Sequence, residues 1–211
     1  LEEDGSMDFR DRGTINNVEA ETVVATVVPP GVGQPGTAVT GESLPGLVGE
    51  EPKKPLAGDN VELSEDGLTY VAKTEGHAAL EKNRINITQE VRIEGDVDYE
   101  VGNLDFVGDL VITGSVDSGF TVKAKKNITL EGSVERHAEI QAGGSIRVAG
   151  TIRCGTEKPS VVAGGSIFAV TVENSFLKAR GDVAVEAEIL GSKVKCLGCF
   201  HGSQATVRGC E

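Results

Sequence analysis

The sequence predicts an all-β protein: a right-handed parallel β-helix of about six short coils, preceded by a small irregular β-domain. Three observations predict it. Two series of glycine corners recur in the second half of the chain with a common period of about 18 residues. The segments between them alternate apolar and polar residues, as in Val122-Lys123-Ala124 and Ile140-Gln141-Ala142, which is the two-residue period of a strand. Before residue 90 no segment sustains the 3.6-residue period of an amphipathic helix, and six of the seven prolines lie there.

Residues 1–90 read as the small β-rich domain, able to cap the rod at its first rung near Val91. Residues 22–28 are rich in β-branched side chains and stop at Pro29-Pro30, so they form a strand. Loops follow at Gly31-Val32-Gly33 and between Pro52 and Pro55. Residues 61–63 and 68–72 flank Glu65-Asp66-Gly67, a hairpin signal. A second hairpin places Lys82-Asn83-Arg84 between residues 78–80 and 85–87.

Residues 91–211 form the repeat domain, with 16–21 residues per coil. Its corners are Gly108-Asp109-Leu110, Lys126-Asn127-Ile128, Gly144-Ser145-Ile146, Gly165-Ser166-Ile167, Gly181-Asp182-Val183 and Gly198-Cys199-Phe200, at steps of 18, 18, 21, 16 and 17 residues. A second series, Gly95, Gly114, Gly132 and Gly150, steps by 19, 18 and 18. That period is too short for helical repeats or propeller blades. Short strands stacked in parallel about 4.8 Å apart give a rod about 25–30 Å long. The crossover preference makes the coil right-handed. Ala124, Ala142, Ala163 and Ala179 recur at one slot, where a tight coil needs a small interior residue.

Composition narrows the function. The net charge of −13 and pI near 4.7 have the wrong sign for coating nucleic acid or for a basic membrane-surface helix. Glycine is frequent at 28 residues, but only 7 prolines accompany it, which excludes collagen. With no Trp, two Tyr and six Phe, the core must be thin layers of Val, Ile, Leu and Ala. No run reaches the roughly 18 apolar residues of a membrane span, and the N-terminus lacks a signal-peptide pattern. Four cysteines are too few for a disulfide framework, so a cytoplasmic location is expected. The chain begins at Leu1 rather than Met, as expected for a piece of something longer.

Several runs carry a resemblance. Residues 108–124, together with Ala142-Gly143-Gly144-Ser145-Ile146 and Ala163-Gly164-Gly165-Ser166-Ile167, are similar to the flagellar assembly protein A family, long described as a domain of unknown function. Met7-Asp8-Phe9-Arg10-Asp11-Arg12-Gly13, Val28-Pro29-Pro30-Gly31, Leu63-Ser64-Glu65-Asp66-Gly67 and Gly102-Asn103-Leu104-Asp105-Phe106 add to it, so the resemblance covers nearly the whole chain. Family members are longer, with a further N-terminal domain and a C-terminal helical segment. The repeat half also resembles the C-terminal β-helix of the division inhibitor MinC, which dimerises and binds a partner ATPase, and bactofilin filaments share the rod logic. The resemblance implies a non-enzymatic interaction or scaffold module and supplies no catalytic motif.

Read for chemistry, the residues offer one metal-like cluster: Cys196-x-x-Cys199-x-His201, with Cys210 further on. It admits a tetrahedral zinc site closing the last coil. Against that stands plain packing, because Cys196 takes the alanine slot and Cys199 the corner slot of Asn127, Ser145 and Asp182. No other cofactor is expected. Asp96, Asp98, Asp105, Asp109 and Asp117 could form a calcium or acid–base site. Asp96, Asp109 and Asp182, however, lie at or near turns, where Asp is favoured for local hydrogen bonding, and the calcium-binding nonapeptide is not matched. His77 and His137 stand without a nucleophile motif, and no phosphate-binding loop exists. Lys123, Lys125 and Lys126 with Lys193 and Lys195 form either a solvated face or a docking strip for an acidic partner. Lys53-Lys54 lie in a proline-flanked loop, unlike the exposed-turn lysine of a biotinyl or lipoyl carrier.

The expected function is therefore a cytoplasmic scaffold or adaptor for flagellar assembly or cell-pole and division organisation, with no enzyme activity, nucleic acid or membrane insertion. Its expected partners are proteins, a flagellar or division ATPase among them, and further copies of itself. After residues 204–208 nothing in the sequence obviously closes the rod, so self-association or capping by absent segments is expected. The alternative is a carbohydrate-active or ion-binding β-helix. A contiguous apolar face favours the first reading and a groove with converging carboxylates the second.

Overall fold

A computed structural model describes residues 10, 12–202 and 206–210; Met7, Asp8, Phe9, Asp11, Gln204, Ala205 and Glu211 of the runs above lie outside the described residues. Among the described residues every regular element is a strand, and no helix is long and apolar enough to cross a membrane. Contacts divide the chain into two compact units. One comprises Val18–Thr74 and Ala78–Ile87; the other gathers the chain up to Asn17, Glu75–His77 and everything from Thr88 onward.

In the smaller unit, Val23–Thr26 pairs antiparallel with Thr69–Ala72, which pairs in turn with Val61–Leu63. The hairpin turn is held by Asp66, whose Oδ1 accepts from the Leu68 N–H at 2.9 Å and from the Ser64 hydroxyl. Those donors, the Ser64 hydroxyl first, hold the Asp66 carboxyl below its ordinary pKa. The second expected hairpin joins Gly76–Glu81 to Arg84–Thr88. Its turn is only Lys82-Asn83, both at positive φ (47° and 63°), as a two-residue type I′ turn requires, so Arg84 belongs to the strand. A small core of Val61, Tyr70, Ala72, Ile85 and Ile87 results.

The larger unit is a parallel β-solenoid of about six turns, each with three sides. The first face stacks Glu90–Ile93, Asp109–Ile112, Ile128–Leu130, Ile146–Ile152, Ile167–Glu173, Val183–Leu190 and Phe200–His201. The second face stacks Leu104–Phe106, Thr121–Ala124, Glu139–Ala142, Val161–Ala163, Phe176–Ala179 and Lys193–Cys196. The third is narrow: single bridges link Val97, Val116, Val134 and Ile152, and the longer strands carry the column on through Val172, Ile189 and Val207. Leu110, Ile128, Ile146, Ile167, Val183 and Phe200 are partners in register, so the spacing read from the corners is the spacing of the rungs. The long step is an insertion after the third face, where Ile152 and Val161 lie nine residues apart and Val134 and Ile140 only six.

Alternation places one side chain in two inside. The core layers are Leu110/Ile112, Ile128/Leu130, Ile146/Val148, Ile167/Ala169 and Val183/Val185 on the first face, and Val122/Ala124, Ile140/Ala142 and Val161/Ala163 on the second, all buried, whereas Phe200 on the last rung is exposed. The alanine slot is real: Ala124, Ala142, Ala163, Ala179 and Cys196 are successive register partners.

The corners show how a stack of thin rungs satisfies its backbone. Asp109 Oδ1 accepts from the Asn127 N–H (3.0 Å), Asn127 Oδ1 from Ser145 N–H (2.8 Å), Ser145 Oγ from Ser166 N–H (3.1 Å), and Ser166 Oγ from Asp182 N–H (3.0 Å). A second ladder runs Asp96 to Ser115, Ser133 and Thr151. Asp96, Asp109 and Asp182 thus bond the next rung, and the local turn bonding expected of them is a property of Asp98, whose Oδ1 accepts from the N–H groups of Glu100 and Val101. A third corner is fully buried. There Ser175 Oγ accepts from the Cys154 N–H (2.8 Å) and donates to the Glu173 carbonyl (2.8 Å), while the Ser175 N–H donates to Ser192 Oγ. Ser175→Ala leaves the buried Cys154 amide without that acceptor, and urea unfolding is expected to show a loss of about 1–3 kcal/mol.

Candidate functional site

The structure separates the four residues of the C-terminal metal motif. Cys196 occupies the alanine slot of the second face, half-buried, with its Sγ 3.5 Å from the Gly198 carbonyl. Cys210 lies at the Ser175–Ser192 corner, its thiol bonded to the carbonyls of Arg208 and Ile189. His201, on the first face's last described strand Phe200–His201, and Cys199, at the corner just before it, are both exposed. Their ligand atoms lie with a carboxylate oxygen of Asp182 in a group whose members are all within 4.8 Å of one another. Asp182, on the rung below, is brought in by register alone, and Cys196 and Cys210 are not in this group.

Beside the insertion, where the third side turns into the second, a cleft of about 1010 Å³ opens. Asp117, Glu135 and Arg153 form a column there, each N–H donating to the carbonyl of Val97, Val116 or Val134 one rung below. Arg153 Nε donates to Glu173 Oε2 at 2.8 Å, which raises the guanidinium pKa above its usual value. Arg136 and His137 complete the polar wall; His137 holds a left-handed backbone (φ 61°). Tyr99 packs edge-on against buried Phe120, with centroids 5.0 Å apart. Deep in the wall, Cys154 is 3% exposed, and burial pushes its thiol up to about 12. A neutral thiol is a poor nucleophile, so native protein treated with iodoacetamide at pH 8 should be modified at exposed Cys199 and spared at Cys154, as peptide mass mapping would report. The same shift has a stability sign: the folded state favours the protonated thiol, so this contribution is present below pH 9 and lost as pH rises towards 12.

His77, the other histidine without a motif, is satisfied structurally: its Nδ1 accepts the Asn16 N–H at 3.0 Å. Asp105 faces outward beside Lys123, its register partner, away from the cleft.

Of the lysines expected as a strip, Lys123, Lys193 and Lys195 lie on second-face strands and Lys125 and Lys126 in the corner after Thr121–Ala124. Gln141, Val162 and Lys178 stand between Lys123 and Lys195 in register, so the five do not form one strip, and register adds residues that spacing did not single out. Lys178 and Lys195 are direct partners on adjacent strands, and Arg180 and Lys193 lie on the same two rungs. Lys195 Nζ sits 5.4 Å from the centre of the Phe176 ring. Lys125 is drawn into an ion pair with Glu75 at 2.6 Å. The signal for Lys178 was present in the sequence as the outward position of Leu177-Lys178-Ala179, but its neighbour follows only from the register.

Residues 89–207 match the family model described as the flagellar assembly protein A β-solenoid domain, and residues 1–83 match that of the same family's N-terminal region. No curated protein and no solved structure matches the chain.

Proposed function

Because the chain belongs to the flagellar assembly protein A family, we propose that it serves flagellar assembly as a non-enzymatic cytoplasmic scaffold whose solenoid offers a rigid basic face to an acidic protein partner. The observation that carries this reading is the juxtaposition of Lys178 and Lys195, flanked by Arg180 and Lys193, on a chain of net charge −13. Like charges directly opposite on neighbouring strands destabilise a sheet. An acidic partner relieves that repulsion and is steered to the face by it. The strands beneath are parallel and continuously paired, so the face keeps its shape on binding. In the smaller unit, Val32, Val39, Leu47 and Val48 are exposed apolar side chains around the 36–44 hairpin, a surface suited to protein contacts.

The test is affinity capture from the source cells with the wild-type chain and a Lys178→Glu/Lys195→Glu variant as parallel baits. A flagellar or division ATPase, or another flagellar component, should be enriched by the first and lost with the second. Capture indifferent to the charge reversal would overturn the basic-face reading. For self-association, sedimentation should show species larger than the monomer as concentration rises; a monodisperse monomer would rule it out.

One observation favours the alternative of a carbohydrate-active or ion-binding β-helix: the cleft brings Asp117, Glu135 and Glu173 to one wall. Glu173 is already engaged by Arg153, which weakens it as an acid or a calcium ligand. Cleavage of polyuronides, or a calcium-dependent rise in melting temperature, would establish this alternative in place of the scaffold.

A further inference from the structure

We propose that Asp182, Cys199 and His201 form a zinc site with three protein ligands and an open fourth position, stapling the last two described rungs of the first face. Cys199 is the corner residue immediately before the strand Phe200–His201, two positions from His201, and the ligand atoms of the two lie within 4.8 Å of each other. Asp182 precedes Val183, the register partner of Phe200, and so lies directly beneath Cys199. One carboxylate oxygen is anchored, Oδ1 accepting the Cys199 N–H at 2.7 Å, and the second remains available to a metal. The residue beneath His201 is Ala184, too short to fill the space below the imidazole.

The chemistry of the column singles out this rung. Asp109, Asn127, Ser145, Ser166 and Asp182 occupy the corner in succession, and each uses a side-chain oxygen to accept the amide of the rung above. Cys199 takes the same position and presents sulfur, a weak acceptor and a strong ligand once deprotonated. Thiolate, imidazole and carboxylate together are a zinc donor set, and three ligands plus water is the open tetrahedral arrangement. The donor atoms lie within 4.8 Å of one another; zinc bonds of about 2.0–2.3 Å require them to close in by roughly 1 Å, within reach of rotation of the exposed Cys199 and His201 side chains. Binding displaces one proton, from the Cys199 thiol, to solvent.

This ligand set differs from a Cys196/Cys199/His201/Cys210 site, and the difference makes it testable. The reduced 211-residue chain is titrated with cobalt(II) as a spectroscopic substitute for zinc, then with zinc, while melting temperature is followed separately. One equivalent should bind with a thiolate-to-cobalt charge-transfer band, zinc should displace it, and zinc should raise the melting temperature. Cys199→Ser should abolish the band. Asp182→Asn, which keeps the Oδ1 acceptor for Cys199 and hence the corner, and His201→Ala should each weaken binding at least tenfold. Cys196→Ser and Cys210→Ser should bind as wild type does. Absence of stoichiometric cobalt or zinc binding would overturn the site, as would binding that survives Cys199→Ser or depends on Cys196 or Cys210.

Discussion

Gly132→Ala is expected to destabilise the solenoid by about 3 kcal/mol or more, the upper range for a single substitution. The methyl group has no room, and the obstacle is main chain. An added Cβ at Gly132 would lie 2.3 Å from the Gly114 carbonyl oxygen. The same corner recurs above and below: Gly114 would meet the Gly95 oxygen at 2.4 Å, and Gly150 the Gly132 oxygen at 2.4 Å. Rungs are held together by the Gly132 N–H donating to Gly114 O at 3.0 Å and the Gly150 N–H to Gly132 O at 3.1 Å. Relieving the clash means parting two rungs and losing ladder bonds on both sides of the corner. At the roughly 2–4 °C per kcal/mol of a domain this size, the melting temperature should drop by about 6–12 °C. Gly31→Ala, whose Cβ would meet nothing within 4 Å, is the control and should melt within about 1 °C of wild type. Equal melting of Gly132→Ala and Gly31→Ala would disprove the close stacking of that corner.

Ile140→Ala should cost about 2–5 kcal/mol in equilibrium urea unfolding, and Ile140→Val about 0.5–1.5. Ile140 is fully buried, flanked in its stack by Val122 below and Val161 above. A three-sided coil has only a few inward residues per turn, so neighbours on adjacent rungs cannot collapse into the space without breaking register. The outward residue on the rung above, Val162, is half-buried with a surface side chain, and Val162→Ala should lose less than about 1 kcal/mol. Similar losses at Ile140 and Val162 would mean that the inward and outward faces have been exchanged.

The contrast between these two positions is where sequence reading was strong. Alternation in Val122-Lys123-Ala124 and Ile140-Gln141-Ala142 assigns each side chain to one face, since a strand has a two-residue period. The glycine corners give the rung spacing, long step included, because each turn is a short-range choice repeated with small variation. Even the alanine slot, with Cys196 as its last described member, could be read from spacing.

The third face was harder. Its members are single residues, Val97, Val116 and Val134, joined by isolated bridges too short to show alternation. The role of Asp109 and Asp182 was likewise out of reach: a turn aspartate looks the same in sequence whether it bonds its own loop or the next rung. Lys178 beside Lys195, and Asp182 beneath Cys199 and near His201, are separated by 17 to 19 positions and meet only through register.

By itself, then, the sequence determined the class, the period, the inward residues and the family resemblance, all of which follow from local alternation and repeated turns. The tertiary structure alone decided which surface side chains become neighbours: the basic pair on the second face, the carboxylate wall of the cleft, and the Asp–Cys–His convergence. The physical reason is that rungs about 4.8 Å apart place residues a full turn distant within contact. A change of one residue in any coil would bring together a different pair.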